Sequence, residues 1–474
     1  MNIARRVITA IAMACAALST WFCVPDPAQA QSPSWLSSSV IYCADPEIFS
    51  STGLSGINGQ LNRIHNLGCN VIWLMPFYPR GVACTVDGIS HSSFNSPYCI
   101  HDMEGIDVYA GTGANLTTLV NTAHGLGMKV ILDMAINATS WDNPLVTSHP
   151  QYYKHSDGNV NNVASIEDGW GTDTDVAQFN LTTDTYGAQT YVTNVCKYWL
   201  QTYNVDGFRF DSADNPAGAG RSLPQSLMNS MHSALTAIKP SIMMLGEEEN
   251  VSLALSPYDL DYGWDMYYYG IGYAFKQSNY ASTLQYQWQY PYTINYTSPA
   301  GMLHMNIQDD WDVSNRDNIV LGGYAEAMAA AVWDFTISGV PLMYNGMEVA
   351  NNNGGQNSHT PINWSGSNAS KFTTFYGQLL ALRNGSGGAL QQGTTSFISN
   401  TSPAVIAYLR TGGGQTYLVE INTNGGTASG TITTQTGTWT DVTPAGAPGG
   451  KTHKLPNTGT FSLQGYDFAI FKRS

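Results

Sequence analysis

Nearly unbroken apolar runs, separated by stretches of helical rhythm, constrain this chain more than any other feature. The run 70-NVIWLMPFYP-79 is stopped by Pro76 and Pro79, and 128-MKVILDMAIN-137 is almost as apolar. A strand that is apolar on both faces is covered on both faces, as in a parallel sheet under helices. Between the runs, 54-LSGINGQLNRIHNLG-68 has helical spacing and ends at Gly68, and 115-NLTTLVNTAHGLG-127 reads as a helix with an asparagine cap and a glycine stop. The alternation continues with a helix over 188–203, a strand over 206–211, a helix over 224–238 and a strand over 242–247. A further strand at 302–307, a helix over 324–336, a strand at 340–345 and a helix over 370–384 complete it. With 38-SSVIYCA-44 at the front, seven strands are visible, and 257–268 is the place for an eighth. Eight parallel strands close a (β/α)8 TIM barrel, whose active site sits at the C-terminal ends of the strands.

Two segments break the rhythm. The polar stretch 138–187 is too long for an ordinary βα loop and reads as an excursion domain after the third strand. From 388 to 474, short strands alternate with Gly/Thr/Asn turns and helical spacing is gone, which predicts a C-terminal antiparallel β domain. The barrel is thereby split into 31–137 and 188–387. Residues 1–30 read as a signal peptide: Arg5 and Arg6 lead an apolar core, and 28-AQA-30 fits a cleavage site. The expected protein is secreted or periplasmic, with no membrane segment left after cleavage.

The stretch 207-GFRFDSADN-215 carries the first sign of chemistry. At strand period, Arg209 and Asp211 share one side and Phe208 and Phe210 the other. A buried acid beside a buried guanidinium is costly unless the two are paired or functional. Charged residues are only 11% of the chain, so its polar surface is rich in amides, hydroxyls and glycine, which suits neutral hydroxyl-rich ligands. The formal charge of −15 argues against nucleic acid as a partner. Five cysteines follow the signal segment, and Cys84 with Cys99 is the candidate disulfide. No cysteine or histidine spacing fits a zinc site.

These segments resemble the α-amylase family of retaining glycoside hydrolases along nearly all of the mature length. The segment 128-MKVILDMAIN-137 is similar to the family's third-strand motif and 207-GFRFDSADN-215 to its fourth. The segments 243-MMLGEE-248, 302-MLHMNIQDD-310 and 336-TISGVPLMYNGME-348 are similar to the fifth, seventh and eighth. The resemblance implies that Asp211 is the nucleophile and Glu247 the general acid and base, with Glu248 and Glu249 as loop or subsite neighbours. It implies that Asp310 grips sugar hydroxyls, Asp312 being the second choice, and that Tyr98 stacks on the sugar. Arg209 would hold Asp211 ionised. Splitting an acetal with retention needs two carboxyl groups about 5–5.5 Å apart flanking the bond.

Three departures from the family pattern stand out. Ala138 and Asp309 stand where the family has histidines that bond the sugar, and Asp214-Asn215 replaces a Lys-His pair. The α-glucan or oligosaccharide is therefore expected to meet an altered pocket around Ala138, Asp309 and Asp214. The expected activity is hydrolysis of starch-like α-glucosidic bonds. Transfer of glucosyl units, different linkage preference, or sugar binding without catalysis are the alternatives. The resemblance also implies a structural Ca²⁺ at Asn137, with Asp173 or Asp175 supplying further oxygens. The aromatic cluster 262-YGWDMYYYG-270 either lines subsites or packs the barrel.

Overall fold

The computed structural model describes residues 32–91, 96–170, 173–213, 223–247, 258–277, 280–289, 303–312, 323–351, 359–433, 435–450 and 453–474. The expected leader, Asp214 and the Glu248–Glu249 pair lie outside them. Eight strands close a barrel: β1 Ile41–Ala44, β2 Val71–Leu74, β3 Lys129–Met134, β4 Gly207–Phe210, β5 Met243–Gly246, β6 Leu260–Tyr262, β7 Leu303–Asn306 and β8 Val340–Tyr344. Neighbours in sequence are neighbours in the barrel, and β1 pairs with both β2 and β8. The eighth strand is β6, inside the segment left for it. Its three residues are fully buried, one of them charged, which explains the weak apolar signal.

Local sequence accounts for the covering helices. Leu54–Leu67 buries Leu54, Ile57, Leu61, Ile64 and Leu67, the i, i+3, i+4 stripe of a helix lying on a core. Gly68 caps it at φ 115°, a left-handed conformation that favours glycine. The next helix, Gly113–Gly125, is capped differently from the expected asparagine cap. Thr112 is the cap, and Asn115 returns a bond to it in a reciprocal capping box. The helix Tyr324–Thr336 is buried at every position from Glu326 onward. A helix this apolar, with only Glu326 and Asp334 charged among its buried residues, needs cover on every side.

The excursion is a three-stranded antiparallel sheet of Ala138–Ser140, Asp168–Trp170 and Asp173–Gln178, the last in the centre. The C-terminal part forms a five-stranded antiparallel sheet, in the order Thr394–Phe397, Val405–Gly412, Gln415–Asn422, Phe468–Arg473 and Trp439–Asp441. It covers the outer side of the helix Tyr324–Thr336: Tyr408 packs edge-on against Trp333, and its hydroxyl meets Thr336 Oγ1 at 2.6 Å.

The expected Cys84–Cys99 bridge does not form. Cys43, Cys69, Cys84, Cys99 and Cys196 are all free thiols. Cys84 opens a hairpin opposite His91, whereas Cys99 is buried with Ala138 and Val176 and donates to Asp175 O at 3.3 Å. Among the described residues no helix is long and apolar enough to cross a membrane.

Candidate active site

The site grows from strand alternation in β4. Phe208 and Phe210 go to the outer face, and Arg209 turns into the barrel, 1% exposed. A guanidinium there must find partners for its donors. Nη1 donates to Asp133 Oδ1 at 2.9 Å and to Asp211 Oδ1 at 2.8 Å. Nη2 meets Glu247 Oε2 at 2.9 Å, and Nε donates to the Tyr262 hydroxyl oxygen at 3.1 Å. Trp73, Tyr98 and Tyr262 surround the cation, each with its ring centroid 5.5 or 5.6 Å from the guanidinium carbon.

Register explains why these groups converge. Asp133 on β3 and Leu245 on β5 are the lateral neighbours of Arg209. Glu247 stands just past the end of β5, where its N–H donates to Phe210 O at 3.0 Å. β4 and β5 lie so close at Gly207 that a Cβ there would sit 2.4 Å from Met243 O. After Asp211 the chain turns sharply. Ser212 takes φ 44°, unusual for a residue with a side chain, and this aims its N–H at Glu247 Oε2, 2.6 Å away. Asn137 Nδ2 donates to Asp211 O at 3.1 Å and Ser212 O at 3.3 Å, so β3 holds the turn that carries the expected nucleophile.

Asp310 follows β7 and is buried. Its Oδ1 accepts from Asp312 N at 3.3 Å, and its Oδ2 has no hydrogen-bond partner. Trp311, between the two acids, has its ring 6.3 Å from that of Tyr98. Tyr98 in turn donates to Asp133 Oδ2 at 3.1 Å. Asp211, Glu247, Asp310, Arg209 and Tyr98 are thus gathered in one place, whereas the Asp309 charge is felt by Tyr267 and Tyr376 as well as by Asp310.

Sequence reading missed Asp133, and it had Tyr262 only as the first residue of an aromatic cluster with no partner named. Asp133 receives bonds from Arg209, Tyr98 and Trp73, whose Nε1 donates at 3.2 Å. Its signal was the first residue of the Asp-x-x-x-Asn pattern, one barrel strand over from Arg209.

Electrostatics correct one expectation. Arg209 favours the charged form of Asp211, but burial is the larger effect, and Glu247 and Asp133 add like-charge repulsion. The carboxyl of Asp211 is pushed up to about 8. Burial likewise raises Asp310 to about 7 and Asp133 to about 6 against the pull of Arg209, and it drives Asp312 upward. One cation cannot keep this many buried carboxylates ionised together, so the cluster shares protons.

The metal assignment does not fit. In the excursion sheet Ala138 pairs with Gln178 and Ser140 with Val176. Asp175 therefore stands four residues along the ladder from Asn137, about 13 Å away at the usual rise of a strand. A single Ca²⁺, with bonds of about 2.3–2.6 Å, cannot bridge that gap. Among the described residues no group of three or more His, Cys, Asp or Glu side chains is placed to hold a metal. Ala138 itself offers only a methyl group, packed with Cys99 and Val176.

A barrel whose fourth, fifth and seventh strands are each followed by an acid, the first two joined through one buried arginine, has counterparts among known proteins. The family model "Alpha amylase, catalytic domain" matches residues 44–380, and the chain belongs to the α-amylase family. It is similar to Alpha-amylase 2 of Dictyoglomus thermophilum, 25% identical over 382 residues, which are 75% of this chain and 63% of that protein. It is also similar to a cyclomaltodextrinase of Bacillus sp, 23% identical over 80% of this chain and 66% of that one. Several other relatives are matched over only about a third of their length. Among solved structures, a noncanonic maltogenic alpha-amylase from Thermotoga neapolitana has the same fold at TM-score 0.71 and 23% identity, covering 92% of this chain and 96% of that one.

Proposed function

We propose that this chain is an exported retaining glycoside hydrolase that cleaves α-glucosidic bonds of starch-like glucans or their oligosaccharides. The observation that carries this reading is the contact of one buried guanidinium with both Asp211 and Glu247, at 2.8 and 2.9 Å. Protonated Glu247 gives its proton to the glycosidic oxygen, the leaving sugar departs as an alcohol, and a carboxylate oxygen of Asp211 bonds to the anomeric carbon. Water then attacks that carbon as Glu247 takes its proton back, and Asp211 leaves with net retention. Arg209 is the neighbour that favours the charged, attacking form of Asp211, against burial and the charges of Glu247 and Asp133. The unpartnered Oδ2 of Asp310 is an acceptor for sugar hydroxyls, and the Tyr98 ring supplies an apolar face.

Purified protein incubated with starch, maltooligosaccharides, dextran and sucrose should release reducing ends from the first two, with the α-anomer formed first by NMR. Asp211→Asn should lower the rate by about 10⁴-fold or more, as removal of a covalent nucleophile does. Full activity in that variant, or initial release of the β-anomer, would overturn the assignment. A second reading, transfer or another α-linkage, is favoured by Ala138 and Asp309, which leave two polar sugar contacts of the family unmade. Longer or re-linked products in the same incubations would select it. Export is tested by sequencing the mature N-terminus, expected near Gln31.

A further inference from the structure

The register of β6 and β7 sorts their side chains onto two faces. Asp261 pairs with His304, and Tyr262 with Met305. Tyr262 reaches inward to Arg209, so Asp261 and His304 point outward, toward the helix layer. A cavity of about 560 Å³ opens there, walled by Asp265, Gln287, Trp288, His304, Trp333 and Ser338 among others. That volume is ordinary for a small-molecule site.

Its lining is built rather than incidental. Asp261, 1% exposed, holds His304 Nδ1 at 2.7 Å, and Asp265 Oδ2 accepts from Gln287 Nε2 at 2.9 Å. Trp333 is completely buried, yet its indole N–H has no hydrogen-bond partner. No surface of Trp333 opens to the cavity, so this donor lies within the wall and is no contact for a molecule bound there. Phe397 of the C-terminal sheet packs against both Trp288 and Trp333 and fixes these walls.

We infer that this cavity is a second ligand site, separate from the Arg209 cluster, that takes a short neutral saccharide. The chemistry selects that class. The His304 charge is matched by Asp261 at 2.7 Å; burial alone would lower the imidazole, but the Asp261 carboxylate outweighs it and lifts the group to about 9, so the pair is ionic and internally neutral. Asp265 disfavours an anion. The partly exposed indole of Trp288, the Gln287 and Gln289 amides and the Ser338 hydroxyl suit an apolar sugar face and sugar hydroxyls together. The reading does not depend on which residues perform the hydrolysis.

Asp211→Asn protein, titrated with maltose by calorimetry, should bind two molecules per chain. Adding Ser338→Phe, which fills the cavity, should remove one of them. Gln289→Ala, at an exposed position on the rim, should weaken the same one. Neither change, made in the otherwise unaltered chain, should affect hydrolysis. A single maltose per chain that Ser338→Phe leaves unchanged, or two that persist through both changes, would overturn the inference. A chain that hydrolyses nothing but keeps a binding site sensitive to Ser338→Phe would sink the catalytic reading and leave this one standing.

Discussion

At the scale of the residue, Arg209 sets the terms. A lysine there would carry the charge without the planar fork that reaches Asp133, Asp211, Glu247 and Tyr262 together. Arg209→Lys should lower kcat/KM by at least about 10²-fold and stability by about 1–3 kcal/mol, because buried acceptors lose donors. Steady-state kinetics and urea unfolding check both. The acids around it make stability depend on pH. A carboxyl whose folded pKa is raised holds its proton more tightly when folded. Its contribution is complete below the unfolded value and is lost as pH rises through the folded one. Asp133, Asp310 and Asp211, at about 6, 7 and 8, all act in this direction. Thermal midpoints of the free protein should therefore fall steadily from about pH 4 to about pH 8, and Asp211→Asn should flatten the slope. A midpoint that rises over that window would contradict the burial of these groups. Asp211 and Arg209 were legible as a pair from their strand spacing. That burial outweighs Arg209 was not, because desolvation depends on neighbours that one strand does not name.

At the scale of the element, most of the barrel could be read from the chain, because its strands are apolar on both faces and its helices carry stripes. Asp133 escaped for a related reason. Its importance comes from lateral pairing with Arg209, some 76 residues away in sequence, and a single strand gives no register. The Cys84–Cys99 pair failed as an inference from proximity along the chain, since the hairpin and the small cluster around Cys99 send the two thiols to different surroundings. Gly207 offers an element-scale test. Gly207→Ala would put a methyl group against Met243 O and force β4 away from β5, where Arg209 meets Glu247. It should cost about 1–3 kcal/mol of stability. It should also reduce kcat more than KM, measured by denaturant unfolding and initial rates.

At the scale of the whole molecule, the two departures from barrel rhythm were visible as changes of composition, and each contains its own antiparallel sheet. What composition could not reveal is how the C-terminal sheet is used. It is the outer cover of the helix Tyr324–Thr336, which is buried on every side, and it braces the indoles of Trp288 and Trp333 through Phe397. A chain stopped at 387 should therefore be recovered largely as aggregate, whereas one lacking only residues 1–30 should stay in solution; size-exclusion chromatography of the two distinguishes them. The same helix limits what recombination can do with this gene. A crossover at the glycine-rich 385-GSGG-388 joins two segments that look modular, yet a foreign C-terminal sheet would arrive without partners for Trp333 and Thr336. The unit of inheritance is then the sheet together with the helix it covers, and viable hybrids should have their seams before Tyr324 rather than at the linker.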